Sequence, residues 1–143
     1  MLHLKIRELT SDEVTNVWPL ARTSPRNHSL LGWKYVVREA IRRGGGIVGA
    51  IAEDGIVHGV ATYEPVLSVR AGRVLRVHTF ASFELSRRAP VRQALLEELD
   101  RVADLLDCDA VSVGALNRAH VRPIRQPIRS VRTARNGDPA ERA

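Results

Sequence analysis

The sequence predicts an α+β (mixed α/β) domain: a mixed sheet built from an antiparallel meander and a β-α-β crossover, behind two N-terminal helices. Three observations carry this expectation. Between Gly72 and Gly114 an apolar β-prone segment, an amphipathic helix and a short apolar strand follow one another. Upstream, two apolar runs flank Asp54-Gly55, a strong hairpin signal. Ahead of both, two stretches carry apolar residues at helical spacing.

Leu2 to Leu9 alternates and reads as the first strand. Thr10-Ser11-Asp12-Glu13 starts a helix: Thr10 or Ser11 offers the capping oxygen, and the acids suit the helix dipole. Val14, Val17 and Trp18 form its inner face, and Pro19 kinks or ends it. Thr23 to Asn27 is a loop. Asn27 or Ser29 caps a second helix that runs to about Arg43, with Leu30, Trp33, Val36, Val37, Ala40 and Ile41 inward. Gly44-Gly45-Gly46 then reads as a helix terminator rather than a phosphate cradle, because no strand–glycine–helix order surrounds it.

Gly46 to Glu53 and Ile56 to Glu64 are strands, joined by a turn expected to hold both Asp54 and Gly55 at positive φ. Pro65 is expected to interrupt the second strand or mark a bulge, before Val66 to Val69 continue it. His58, just after the hairpin, is expected to be exposed. Arg70 to Arg73 makes the next turn. In the following strand, alternation puts His78 on one face with Arg76 and Phe80, and Val77 with Thr79 on the other. Pro90 opens the long helix where its missing N–H costs nothing, and Val91, Leu95, Leu99, Val102 and Leu106 recur along it. Asp109 to Gly114 is the last strand. A parallel return leaves the amino end of this helix beside the carboxyl end of a strand, where anions bind.

Composition bounds the function. A chain of 143 residues suits one domain, and with 4% aromatic residues its core rests on Leu, Val, Ile and Ala. No apolar run reaches the roughly 20 residues that a bilayer span needs, so no membrane role is expected. Met1 to Arg7 alternates like a strand and does not read as a signal peptide. The single cysteine, Cys108, permits no internal disulfide, which fits the cytoplasm. The net charge of +6 is uneven: seven arginines and two acids fall between Arg118 and Ala143. The expected organisation is a domain over 1–117 and a flexible Arg-rich tail over 118–143. Nucleic-acid contact through that tail is an alternative role, but no aromatic residue is interleaved for base stacking. There is no metal-ligand spacing, no Gly-x-Ser-x-Gly elbow and no P-loop.

The order of strand, two helices, three-strand meander, helix and strand resembles the GCN5-related N-acetyltransferase (GNAT) fold, over roughly Leu4 to Ala119. Leu75 to Gly114 is the best match, and Gln93 to Leu99 with Ala103 looks like that family's third helix. Asn117 and Ala119 resemble its Asn-x-x-Ala region with shorter spacing. The family's Arg/Gln-x-x-Gly-x-Gly/Ala loop falls here on Arg87-Arg88-Ala89-Pro90-Val91-Arg92. Arg87 keeps the first position, while Pro90 and Arg92 replace the glycines. Pro90 supplies no N–H and Arg92 adds bulk, yet Arg87, Arg88 and Arg92 bring charge for a phosphate.

The resemblance implies acetyl-CoA as cosubstrate, held by Phe80, Ala81, Arg87, Arg88, Val91, Arg92 and Asn117, and an amine as acceptor. Acyl transfer to an amine needs a base, and the resemblance brings Glu64 and His78 toward the acyl cleft as candidates. Their bland readings are a solvated strand end beside Pro65 and a hydrogen-bonded strand histidine. The family's tyrosine beyond the fifth strand has no counterpart, since Tyr35 and Tyr63 lie upstream. Its last helix and final two strands are missing or eroded, so the acceptor pocket is expected to be open unless a second chain, in a homodimer, supplies the wall. A GNAT-like binding or dimerisation module without catalysis is the other alternative.

Overall fold

The computed structural model describes residues 3–25 and 27–113. Its elements are β1 (Leu4–Glu8), α1 (Ser11–Asn16), α2 (Trp18–Ala21), α3 (Leu30–Arg42), β2 (Gly46–Ala52), β3 (Val57–Ser68), β4 (Gly72–Ser82), α4 (Pro90–Leu105) and β5 (Ala110–Val113). The strands form one sheet in the order β1-β2-β3-β4-β5. Neighbours from β1 to β4 pair antiparallel, and β5 returns parallel to β4. The α+β class, the meander and the crossover are those that the sequence predicts. Gly114, Asn117, Ala119 and the Arg-rich tail lie outside the described residues.

Helix ends follow from local chemistry. Thr10 Oγ1 accepts the Glu13 N–H at 3.3 Å, and Glu13 Oε1 accepts the Thr10 N–H at 2.8 Å, a reciprocal capping box. Arg7 grips the same carboxylate with bonds of 2.7 and 2.8 Å. Those hydrogen bonds, Arg7's first, pull the Glu13 pKa down to about 2. Ser29 caps α3 through the Gly32 N–H. The α3 helix ends in a Schellman turn: the Gly45 N–H reaches Ala40 O at 2.8 Å and the Gly44 N–H reaches Ile41 O at 3.1 Å, with Gly44 at φ +90. A Cβ at Gly45 would lie 1.8 Å from the Tyr63 carbonyl oxygen, so this glycine also lets the chain press against β3 beside Glu64.

Two apolar layers cover the sheet. On one face Val91, Leu95, Leu99, Val102 and Ala103 of α4 pack on Ala50, Ala61, Leu75, Val77 and Val111. On the other, Val14, Val17, Ala21, Trp33 and Val37 pack on Ile47, Ile51, Val60 and Ala81. Trp33 Nε1 donates to Val14 O at 2.7 Å, which ties α3 to α1. The inner stripe of α3 is narrower than expected, because Leu30 and Ile41 are exposed. Leu95 and Leu99 are fully buried, and truncating such a residue to Ala costs about 2–5 kcal/mol.

Four local expectations are corrected. Only Gly55 has positive φ in the first hairpin; Asp54 instead accepts the Ile56 N–H on Oδ1 at 2.9 Å, an Asx-type contact that holds the turn. Pro65 neither breaks β3 nor marks a bulge: it pairs with Leu75 inside a continuous strand. The β2 pairing stops at Tyr63, so Pro65 sits where β3 is an edge, and an edge tolerates a missing N–H. The bulge falls elsewhere. Thr62 pairs with Thr79 and Tyr63 with Val77, which leaves His78 as an extra residue on β4. An extra residue reverses the alternation beyond it. Val77 and Phe80 therefore both face α4, while His78 and Thr79 line the opposite side, against the simple parity. His58 is likewise an extra residue, on β3, and is buried beside the Phe83 ring rather than exposed.

Candidate active site

The bulge creates the site. It turns His78 and Thr79 toward α3, and the Thr79 N–H is accepted by Thr62 Oγ1 at 3.0 Å. The loop before α3 closes the floor: Asn27 Nδ2 donates to Ala21 O at 2.9 Å and to Thr79 Oγ1 at 3.4 Å. Around this floor lies a cavity of about 450 Å³, lined by Asn27, His28, Tyr35, Glu39, Arg43, Glu64, His78 and Thr79 among others. That volume lies in the range of small-molecule sites, roughly 300–1,000 Å³.

Glu64 and His78 meet there. His78 Nε2 and Glu64 Oε2 are 2.5 Å apart. Glu64 is 3% exposed, so this carboxylate has almost no water and depends on its partners. Arg43 Nη1 stands 3.6 Å from Glu64 Oε1, and Arg43 Nε stands 3.7 Å from Glu39 Oε1. Arg42 holds Glu39 with a bond of 2.6 Å, which is the main reason that the Glu39 carboxyl titrates below its ordinary range. The bland reading of Glu64 as a solvated strand end gives way, because Glu64 is buried, whereas His78 is a hydrogen-bonded strand histidine whose partner is Glu64 and whose ring borders the cavity. Chemically, an acid that fixes one ring nitrogen of a histidine sets its tautomer and orientation.

β5 pairs with β4 from Val74 to Val77, and His78 is the next residue. Beyond it β4 continues to Ser82, paired with β3 alone among the described residues. The amino end of α4 lies past this strand end. Here the structure brings the sequence-expected cofactor residues together only in part. Arg92 lies over the Phe80 ring at 5.5 Å, a cation–π contact. Arg87 and Arg88 are exposed, with no carboxylate in ion-pair range among the described residues. The Ala81 and Val91 side chains are buried in opposite apolar layers.

Sequence reasoning missed Glu84. Its two oxygens accept the Val91 N–H at 3.2 Å and the Arg92 N–H at 2.7 Å. The signal was available: Ala89 stands at the cap position, at φ +50, and has no oxygen to offer. A helix start without a capping side chain needs an acceptor from elsewhere. Asn27, Glu39, Arg43 and Thr79 were also missed, because tertiary packing alone brings them to the cavity.

Among the described residues, no helix is long and apolar enough to cross a membrane, and no group of three His, Cys, Asp or Glu could hold a metal ion. No family model matches the sequence, and no curated protein matches it either. Solved structures do match the fold. An aminoglycoside N-acetyltransferase in complex with CoA is similar at a TM-score of 0.68 and 13% identity, over 95% of this chain and 87% of that one. An aminoglycoside 6′-N-acetyltransferase from Acinetobacter baumannii is similar at 0.66 and 13% identity, over 82% and 83% of the two chains. A GNAT family acetyltransferase from Staphylococcus aureus is similar at 0.64 and 12% identity, over 86% and 94%. The fold is that of the GCN5-related N-acetyltransferases.

Proposed function

We propose that the chain is an N-acyltransferase that moves an acyl group, acetyl in the first instance, from acyl-CoA to an amine. The observation that carries the reading is the Glu64–His78 pair, which faces a cavity. The acetyltransferases of the same fold support it, one of them in complex with CoA.

In this reading Glu64 orients the His78 ring through Nε2, which leaves Nδ1 to take a proton from the bound ammonium. The buried carboxylate balances the charge that the ring then carries. The freed amine attacks the thioester carbon, so that a C–N bond forms and the C–S bond breaks. The first proton passes through His78 to solvent, and the second leaves nitrogen for the departing sulfur through the same ring. Asn27 Oδ1, buried in the cavity wall without a partner among the described residues, offers an acceptor for a second donor on the amine substrate. Arg87, Arg88 and Arg92 fit the charge of the CoA phosphates. The backbone donors at the start of α4 fit them only once Glu84 moves aside.

That last contact favours a second reading, a binding module of the same fold without catalysis. Turnover that is lost on Glu64→Ala or His78→Ala, in a protein that binds acetyl-CoA, counts against the module, and calorimetry tests the binding that the enzyme reading needs. Titration with CoA, acetyl-CoA and longer acyl-CoAs is expected to give saturable heat. Absence of heat across the whole series overturns the enzyme reading.

A further inference from the structure

We infer that the amine acceptor also carries a carboxylate, and that Arg43 in the cavity wall binds it. The inference rests on the acyltransferase reading above and deepens it by naming the substrate class, a small amino acid that enters as a zwitterion. It starts from which cavity groups are already engaged. Glu64 has His78 at 2.5 Å, and Glu39 has Arg42 through bonds of 2.6 and 3.1 Å. Arg43 has no such partner. Its Nη1 stands 3.6 Å from Glu64 and its Nε 3.7 Å from Glu39, both beyond hydrogen-bond range. Its side chain makes no hydrogen bond among the described residues, and 54% of it is exposed. A guanidinium with its N–H fork unused, on the wall of a cavity of about 450 Å³, fits a carboxylate.

The same groups rank the rival ligand charges. With the histidines neutral, Arg42 and Arg43 balance Glu39 and Glu64, so this cluster has no net charge but has separated poles. A zwitterion matches it in both respects. The second ammonium of a diamine would need an unengaged carboxylate, and both carboxylates have short bonds elsewhere. A phosphate dianion at Arg43 would lie against Glu39 and Glu64, which stand 3.7 and 3.6 Å from that guanidinium, and like charges so close repel. A carboxylate brings half that charge. Glu64 also sets the reach. His78 meets its Oε2 and Arg43 stands beside its Oε1, so one carboxylate separates the proton acceptor from the guanidinium. The ammonium and the carboxylate of one small molecule therefore span both.

The test is acetyl transfer from acetyl-CoA to matched acceptors by the wild type, Arg43→Gln and Arg43→Lys, with circular dichroism to check folding. The acceptors are glycine, leucine, β-alanine and 4-aminobutyrate, the amide of each, a diamine of similar length and an aminoalkyl phosphate. The wild type is expected to favour at least one amino acid over its amide by about tenfold in kcat/KM, the worth of one charge-assisted contact, and to do so through KM. Arg43→Gln is expected to remove that preference, and Arg43→Lys, which keeps the charge but not the fork, to keep part of it. If Arg43 only holds Glu64 in place, both variants lower kcat on amino acid and amide alike, and that result overturns the inference. Equal kcat/KM for amino acids and amides in the wild type, or a preference for the diamine or the phosphate, overturns it as well and leaves the acyltransferase reading standing. No transfer to any acceptor overturns both.

Discussion

Two polar regions border β4, and their charges are differently paired. In the α3-side cavity the side chains are paired with one another, Glu64 with His78 and Arg43 beside both Glu64 and Glu39, while the space in front of them is open. At the amino end of α4 the backbone donors are already taken by Glu84, while Arg87, Arg88 and Arg92 have no ion-pair partner among the described residues. The first region is assembled before any ligand arrives. The second is closed by its own residue and carries surplus positive charge. On the proposed reading, the side chains for chemistry stand ready on one side, while the donors on the other are free only when Glu84 moves aside.

The sharpest way to break this comparison is to alter the dyad. Glu64→Gln and His78→Ala are each expected to lower turnover by about 10²–10⁴-fold, the usual worth of a general base, with CoA affinity unchanged. Thiol release and calorimetry measure the two quantities; an equal loss of affinity would merge the regions into one. Next in size is Gly45→Ala. Its Cβ meets the Tyr63 carbonyl, so unfolding by denaturant is expected to show a loss of about 1–3 kcal/mol, with reduced turnover because Glu64 adjoins the clash.

Arg87→Ala combined with Arg88→Ala is expected to weaken CoA binding by about tenfold and to reduce its salt dependence, with turnover at saturation intact. A control remote from both regions is Glu13. Its folded pKa, about 2, lies below the ordinary 4.5 of a free glutamate, so the Arg7–Glu13 contact stabilises fully above that value. The contribution is lost as pH falls through the interval toward 2. Thermal melts between pH 5 and 2 should fall more steeply for the wild type than for Glu13→Gln. The smallest effect is expected from Ala89→Gly. Relief of the left-handed backbone at φ +50, offset by glycine's entropy, should raise stability by about 0.5–1 kcal/mol.

Much of the fold was legible because it is written in local pattern. The Thr10 and Ser29 caps, the glycine stop after α3, the Pro90 start and the α4 stripe all depend on neighbours in sequence. The parity of β4 was not legible. A bulge is a property of the pairing between two strands, and nothing in Arg76 to Phe80 alone announces that His78 is the extra residue. Glu64 and His78 were both singled out, but as separate candidates; the 2.5 Å contact needs the bulge to aim the ring. Glu84 was not legible as a cap because it lies seven and eight residues from the N–H groups that it accepts. The missing cap at Ala89 was the physical clue.

Single-turnover transfer of a labelled acetyl group from acetyl-CoA to a panel of amines, by the wild type and His78→Ala, bears most directly on the pairing of dyad and donor seat. Label is expected on at least one amine with the wild type, and its appearance is expected to slow by at least about a hundredfold in the variant while acetyl-CoA still binds. Label that stays on CoA with every amine, or reaches the amine equally fast without His78, would contradict it.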